Sequence, residues 1–198
     1  MRWDELFDDL EAQLEHGLAS DELDLHAEDE RLRLGRLSLR DRLLALTSGG
    51  EHAPVAERRS LAVRLRAGEG LRLVIATIGR DWLVANVAGL PAAPQLLVPM
   101  VAIASVSLDR AEIAASLEPP ASPRLTDRLG VAFVLRDLCR RRAHVRVSTG
   151  EDEAHGTIDR VGRDHFDLAI HEPGTERRER DIVEYRIVPF DGLLSVRL

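Results

Sequence analysis

Hydrophobic positions follow two different periods along this chain. Near the N-terminus apolar side chains recur every three or four residues, which predicts an amphipathic helix, and a second series then recurs every seven residues. A loop rich in glycine and charge follows, and from residue 61 apolar and polar residues alternate, which predicts short strands. The first series is Trp3, Phe7, Leu10, Leu14 and Leu18, and the second is Leu25, Leu32, Leu39 and Leu46. The pattern predicts an α+β protein.

The strand-rich part of the sequence is written twice. The stretch IGRDWLVANV at 78–87 returns as VGRDHFDLAI at 161–170, and RLGRLSLRDRL at 33–43 is echoed by RLGVAFVLRDL at 128–138. The order of the matching blocks predicts an internal duplication, in which each copy is a helix followed by about five strands. Two later matches are Val98-Pro99 with Val188-Pro189 and Ser105-Val106 with Ser195-Val196.

The second strand of each copy breaks the alternation. Ile75 and Ile78 in the first copy, like Ile158 and Val161 in the second, lie an odd number of residues apart and would face opposite sides of a regular strand. A β-bulge in each strand restores the phase, and we expect a sharp bend there. Such a bend allows five short strands to close into a small barrel. We therefore predict two barrels.

Two motifs resemble a known fold family. The patterns G-x-I-x-x-V-G-x-D-x-F-x-L and V-P-F-x-x-L-x-S-V resemble the Sm-like fold of RNA-associated small barrels, over residues 59–108 and 127–198. The resemblance implies an α+β fold with N-terminal helices and two tandem five-stranded Sm-like small β-barrels, each preceded by a helix. The opening MRWDELFDDLEAQ also resembles that of a group of actinobacterial proteins.

The predicted domains follow from the two copies. We expect an acidic N-terminal helical region and loop at 1–58, a first barrel at 59–108, a proline-containing linker at 109–126, and a helix with the second barrel at 127–198.

Sm-like proteins that bind RNA bases use an Asp, an aromatic residue and an Asn around the start of strand three, and the resemblance implies a base-binding role for the same positions here. The corresponding residues here are Asp164, His165, Phe166 and Asp167 in the second copy, and Asp81, Trp82, Leu83 and Val84 in the first. Neither copy has the Asn, and neither has the Arg-Gly pair expected before strand five. These departures argue against recognition of RNA bases.

Charge is distributed unevenly. Residues 1–30 hold 12 acidic residues and one Arg, whereas residues 31–198 hold 22 acidic residues and 26 Arg. The acidic segment is either a solvated helix face or a helix that masks an Arg-rich surface. Contact with nucleic acid would require the basic side chains of the second copy, and the candidates are Arg160, Arg163, His165, Arg177, Arg178 and Arg180.

Strand three of the first copy is apolar on both faces. Trp82 and Val84 face away from the barrel interior in the predicted alternation, so a further surface must cover them. The cover is the chain's own N-terminal helix or second barrel, or else a partner protein or second subunit. Together with Arg80, these residues are our candidate partner contact.

Candidate catalytic chemistry is absent from the sequence. It contains no nucleotide-binding glycine loop, nucleophile elbow or zinc-protease motif. The single cysteine, Cys139, cannot form an internal disulfide, and no run of about 18 apolar residues predicts a membrane span. We therefore expect a cytoplasmic protein that is not an enzyme and has no cofactor, metal, membrane contact or evident small-molecule substrate.

The function that we predict is a non-catalytic intracellular binding or assembly module, acting mainly through contacts with a protein partner or a second copy. The alternative is an RNA-associated regulator that contacts nucleic acid weakly through Arg residues of the second barrel.

Overall fold

The computed structural model describes residues 27–47, 59–89, 95–118, 125–150, 152–174 and 177–198. The chain divides into two compact units, Met1–Ser38 and Leu39–Leu198. In the described part of the first unit, residues 27–36 are helical, and exposed Glu–Arg pairs lie three residues apart along the helix. The apolar series before residue 27 lies outside the described residues.

The described part of the second unit contains three α-helices and ten β-strands. The helices are α1 (Leu39–Thr47), α2 (Arg110–Ser116) and α3 (Val131–Arg141). The first five strands are β1 (Ser60–Leu65), β2 (Gly70–Ile78), β3 (Trp82–Val87), β4 (Leu96–Pro99) and β5 (Ile103–Ser107). The second five are β6 (His144–Ser148), β7 (Glu153–Val161), β8 (His165–Ile170), β9 (Glu184–Pro189) and β10 (Ser195–Arg197). None of the described helices is both long enough and apolar enough to cross a membrane.

All ten strands belong to one open antiparallel sheet, in the order β5-β1-β2-β3-β4-β10-β6-β7-β8-β9. The prediction of two closed five-stranded Sm-like barrels is therefore wrong, although the α+β character is confirmed. The strand β4 pairs with β10, through Val196 opposite Leu97 and Arg197 opposite Leu96. The backbone N–H and C=O groups of β4 that would close the first barrel are thus hydrogen-bonded to β10, in the other half of the chain.

The bulges predicted in the two long strands are confirmed. The pairing of β2 with β3 shifts register between Ile75 and Thr77, and that of β7 with β8 shifts between Ile158 and Arg160. A bulge increases the local twist and bend of a strand. It does not decide which strands pair at the two ends of the sheet, and this is why correct bulges accompanied a wrong prediction of closure.

Two hydrophobic cores lie against the sheet, and each contains a side chain from the other half. Leu194, which precedes β10, is buried in the core of the first half beneath α1. Trp82 and Leu97 of the first half are buried in the core of the second half, together with Leu135 of α3. Burying one such side chain contributes about 1.5–3 kcal/mol. The two halves are therefore joined by shared cores as well as by strand pairing.

Candidate functional site

The chain itself covers Trp82. The side chain is buried at 5 % exposure, and its indole Nε1 donates a hydrogen bond to the carbonyl of Leu129 at 2.8 Å. A Cβ on Gly79 would lie 2.2 Å from the indole ring, so the ring is packed directly against that glycine. The neighbouring candidate Val84 also packs against the second core, whereas Arg80 is exposed.

Asp81 lies in the turn between β2 and β3, and it connects this turn to the start of α3. Its Oδ1 accepts a hydrogen bond from the backbone N–H of Val131 at 2.7 Å. Gly130 occupies the N-cap and has no side chain with which to satisfy that donor. A residue of the first half of the chain thus caps a helix of the second half. This contact and the β4–β10 pairing hold the two halves together, and we call them the internal joint.

The second half repeats the turn but leaves it exposed. The N–H of Gly162 donates to the carbonyl of His165 at 2.8 Å, as the N–H of Gly79 donates to that of Trp82. The side chains of Asp164 and His165 are 83 % and 44 % exposed, and Asp164 Oδ1 lies 2.8 Å from His165 Nδ1. This hydrogen bond holds the pKa of Asp164 below its usual value.

The two ends of the sheet are unpaired edges within the described residues. The strand β9 pairs only with β8, and β5 pairs only with β1. Three apolar side chains in or next to β9 are strongly exposed: Val183 at 78 %, Tyr185 at 56 % and Ile187 at 69 %. Residues two apart in a strand share a face, so these three form one apolar row, which we call the β9 row. Sequence reasoning missed it, although the alternation of VEYRI at 183–187 carried the signal.

Three of the arginines predicted to contact nucleic acid lie close to carboxylate groups of the chain itself. Arg177 forms a two-point ion pair with Asp159, with Nε to Oδ1 at 2.7 Å and Nη2 to Oδ2 at 2.5 Å. Arg160 lies 3.8 Å from Asp167, and Arg180 lies 3.7 Å from an oxygen of Asp181.

The other three candidates are spread over different segments. Arg163 is exposed in the turn before β8, His165 pairs with Asp164, and Arg178 precedes a 3-10 turn at Glu179–Asp181. Together with the carboxylate pairs, this arrangement reduces the positive field that the six residues offer a polyanion.

Cys139 is not placed as a nucleophile. Its Sγ donates a hydrogen bond to the Asp159 carbonyl at 3.3 Å. Burial, and then the negative charge of Asp159, raises the pKa of the thiol. The neutral thiol is the poorer nucleophile, so this environment suppresses reactivity.

A basic pocket lies on the second half, at the strands β10, β6 and β7. Its cavity volume is about 420 Å³, and none of the described side chains that line it is acidic. The lining includes His144, Arg146, His155, His171, Pro173, Arg197 and Leu198. Within the described residues, no group of three or more His, Cys, Asp or Glu side chains is arranged to hold a metal ion.

The imidazole of His171 forms a fixed wall of this pocket. It is buried, with Nε2 at 2.9 Å from Thr157 Oγ1 and Nδ1 at 3.1 Å from the Glu172 carbonyl oxygen. The His144 ring meets it edge-on, at a centroid distance of 5.2 Å.

Comparison with protein-family models, with curated proteins and with solved structures finds no match to this chain. The resemblance to Sm-like proteins stays a prediction from the sequence motifs.

Proposed function

We propose that this chain is a non-catalytic assembly module that binds protein by strand addition at the edges of its sheet. The β9 row is the observation that carries this proposal. An edge strand offers unpaired N–H and C=O groups, and natural proteins usually protect such edges with charge, proline or a covering segment. The β9 strand also carries Glu184, Arg186 and Pro189, but its exposed apolar row favours a further strand, with backbone hydrogen bonds for affinity and side-chain contacts for specificity.

The partner that best fits these edges is a second copy of the chain. Each half has the same strand order, so β9 holds the position in its half that β4 holds in the first, and β5 corresponds to β10. The internal β4–β10 pair is then a template for pairing β9 of one copy with β5 of the next. In that pairing Ile187 takes the place of Leu97, and Val106 takes the place of Val196.

The exposed turn at Asp164 fits the same arrangement. In the internal joint, Asp81 accepts from the first turn of α3. The equivalent carboxylate in the second half is Asp164, and the helix equivalent to α3 is α1, which begins the first half. A second copy that joined at β9 would bring its α1 to Asp164. Because the two edges differ, such pairing is head to tail and produces a ring or a filament.

The test is the oligomeric state of the full chain over a wide range of protein concentration, measured by light scattering and sedimentation velocity. Ile187→Asp places a charge in the β9 row, and the exposure of Ile187 leaves both cores intact. Phe133→Asp is the matched control, because Phe133 is an exposed apolar side chain that lies on α3 and not on an edge strand.

We expect wild type and Phe133→Asp to assemble as concentration rises, and Ile187→Asp to remain monomeric with an unchanged circular dichroism spectrum. A wild-type chain that is monomeric throughout, or an Ile187→Asp variant that assembles like wild type, contradicts the proposal.

A further inference from the structure

A row of basic side chains crosses three neighbouring strands in the pocket of the second half. Arg197 of β10 lies directly opposite Arg146 of β6, and Arg146 lies directly opposite His155 of β7. Residues directly opposite in an antiparallel pair place their Cβ atoms about 4.5–5.5 Å apart, and like charges at such positions are destabilising. The two guanidinium groups therefore need negative charge nearby.

Two described carboxylates lie near these guanidinium groups. Glu153 Oε2 is 3.9 Å from Arg146 Nη1, and Glu69 Oε1 is 3.7 Å from Arg197 Nη2. Both distances exceed the range of about 2.7–3.2 Å for an N–H···O hydrogen bond, and partly exposed ion pairs of this kind contribute little to stability. Both arginines also line the pocket.

In the equivalent groove of the first half of the chain, acidic side chains neutralise the charge of an arginine. A groove on β5, β1 and β2 has a cavity volume of about 570 Å³ and is lined by Arg59 and Arg72, but also by Asp109 and Glu112. Arg59 Nε lies 2.7 Å from Glu112 Oε1, and Arg59 Nη2 lies 3.2 Å from Asp109 Oδ2. Acidic side chains at the start of α2 therefore balance the positive charge of Arg59 in this groove. Among the described residues, the lining of the pocket in the second half has Arg146 and Arg197 but no carboxylate side chain.

We propose that the pocket on β10, β6 and β7 binds a small organic phosphate. Guanidinium groups bind phosphate through paired N–H···O bonds, and two adjacent arginines with His155 offer donors from three strands. The cavity is larger than a phosphate group requires and lies in the range of small-molecule sites, and the side chains of Pro173 and Leu198 provide apolar surface for the organic part. The site is independent of the assembly edges.

The experiment titrates the full chain with ribose 5-phosphate, inorganic phosphate, sulfate and ribose at constant ionic strength, using calorimetry and histidine-resolved NMR. The variants are Arg146→Gln and Arg197→Gln. The control is Arg64→Gln, because Arg64 is an exposed strand arginine of β1 whose Nη1 donates to the Gly68 carbonyl outside the pocket.

We expect ribose 5-phosphate to bind more tightly than inorganic phosphate, sulfate or ribose, with resonance shifts at His144 and His155. Each pocket variant is expected to weaken this binding about tenfold or more, because a hydrogen bond to a charged group contributes about 1.5–3 kcal/mol. The same variants should raise the melting temperature of the ligand-free chain, because they remove like-charge repulsion, whereas a purely structural arginine would lower it.

Three results would overturn the proposal: absence of ribose 5-phosphate binding by the folded wild-type chain, equal binding by the pocket variants, or affinity no greater than that for sulfate. Because assembly is measured separately on Ile187→Asp, failure of this site and failure of the assembly proposal are distinguishable.

Discussion

At the scale of the residue, one turn has two different fates. Gly79 and Gly162 make the same hydrogen bond to the ring residue three positions later, but the indole of Trp82 is buried while the imidazole of His165 is half exposed. The change from Trp to His thus coincides with the change from a covered turn to an open one. The sequence located this difference, and the structure identified the cover as Leu129 and α3.

Substituting alanine at the two glycines should therefore have unequal effects. The new Cβ would lie 2.2 Å from the Trp82 ring in Gly79→Ala and 2.6 Å from the His165 ring in Gly162→Ala. Trp82 is held by its hydrogen bond and its packing, so Gly79→Ala should lower the free energy of unfolding by about 1–3 kcal/mol. His165 can turn outward, and Gly162→Ala should cost less. Urea denaturation of both variants checks this, and equal losses would contradict it.

Cys139 should react slowly in the folded chain. Burial raises its thiol pKa, so the folded state keeps this proton to higher pH than the unfolded state does. The contribution to stability is accordingly complete below the ordinary cysteine pKa and declines as pH rises above it. Iodoacetamide labelling near pH 8 should be much faster in urea than in buffer, whereas equal rates would show an exposed thiolate.

At the scale of the element, α3 depends on a side chain from the other half of the sheet. Gly130 cannot cap the helix with a side chain, and Asp81 accepts from the first helical N–H instead. The helix sequence predicts an apolar face but not this partner. Contacts of this kind make the two halves mutually dependent.

Removing the cap should weaken the joint. We expect Asp81→Ala to lower the free energy of unfolding by about 1 kcal/mol, which is typical of a lost N-cap carboxylate. The matched control is Asp164→Ala, since Asp164 occupies the equivalent turn and is largely exposed. Thermal melts at low protein concentration should show a clear loss only for Asp81→Ala, and equal losses would mean that the cap adds nothing.

At the scale of the whole molecule, the net negative charge and the internal ion pairs disfavour the binding of RNA. The chain carries a net charge of −7, and the Arg177 guanidinium is already bonded to both oxygens of Asp159. Its donors are therefore largely used inside the protein. This balance makes a protein partner the better expectation for the sheet edges.

Single-stranded RNA should accordingly bind weakly to the full chain at about 0.15 M salt, and binding should fall steeply as salt rises. The measurement is a fluorescence anisotropy titration at two salt concentrations. Tight, salt-tolerant and sequence-selective binding would instead favour the alternative of an RNA-associated regulator.

Local pattern determined a large part of this structure. Alternation predicted strands from residue 61 onward, and the odd spacing of Ile75 and Ile78 located a bulge. These properties depend on neighbours along one or two strands, which the sequence records directly. The predicted bend and the Sm-like motifs also led to the inference of closed barrels, which the sheet contradicts.

The pairing of strands at the ends of the sheet depends on packing between distant parts of the chain. Backbone N–H and C=O groups are the same in every residue, so β4 can bond equally well to β5 or to β10 as far as local sequence is concerned. Cooperative packing selected β10, because Leu194 fills the first core while Trp82 and Leu97 fill the second. The same choice left β9 and β5 as the edges, and it brought Arg197 opposite Arg146 from distant parts of the chain.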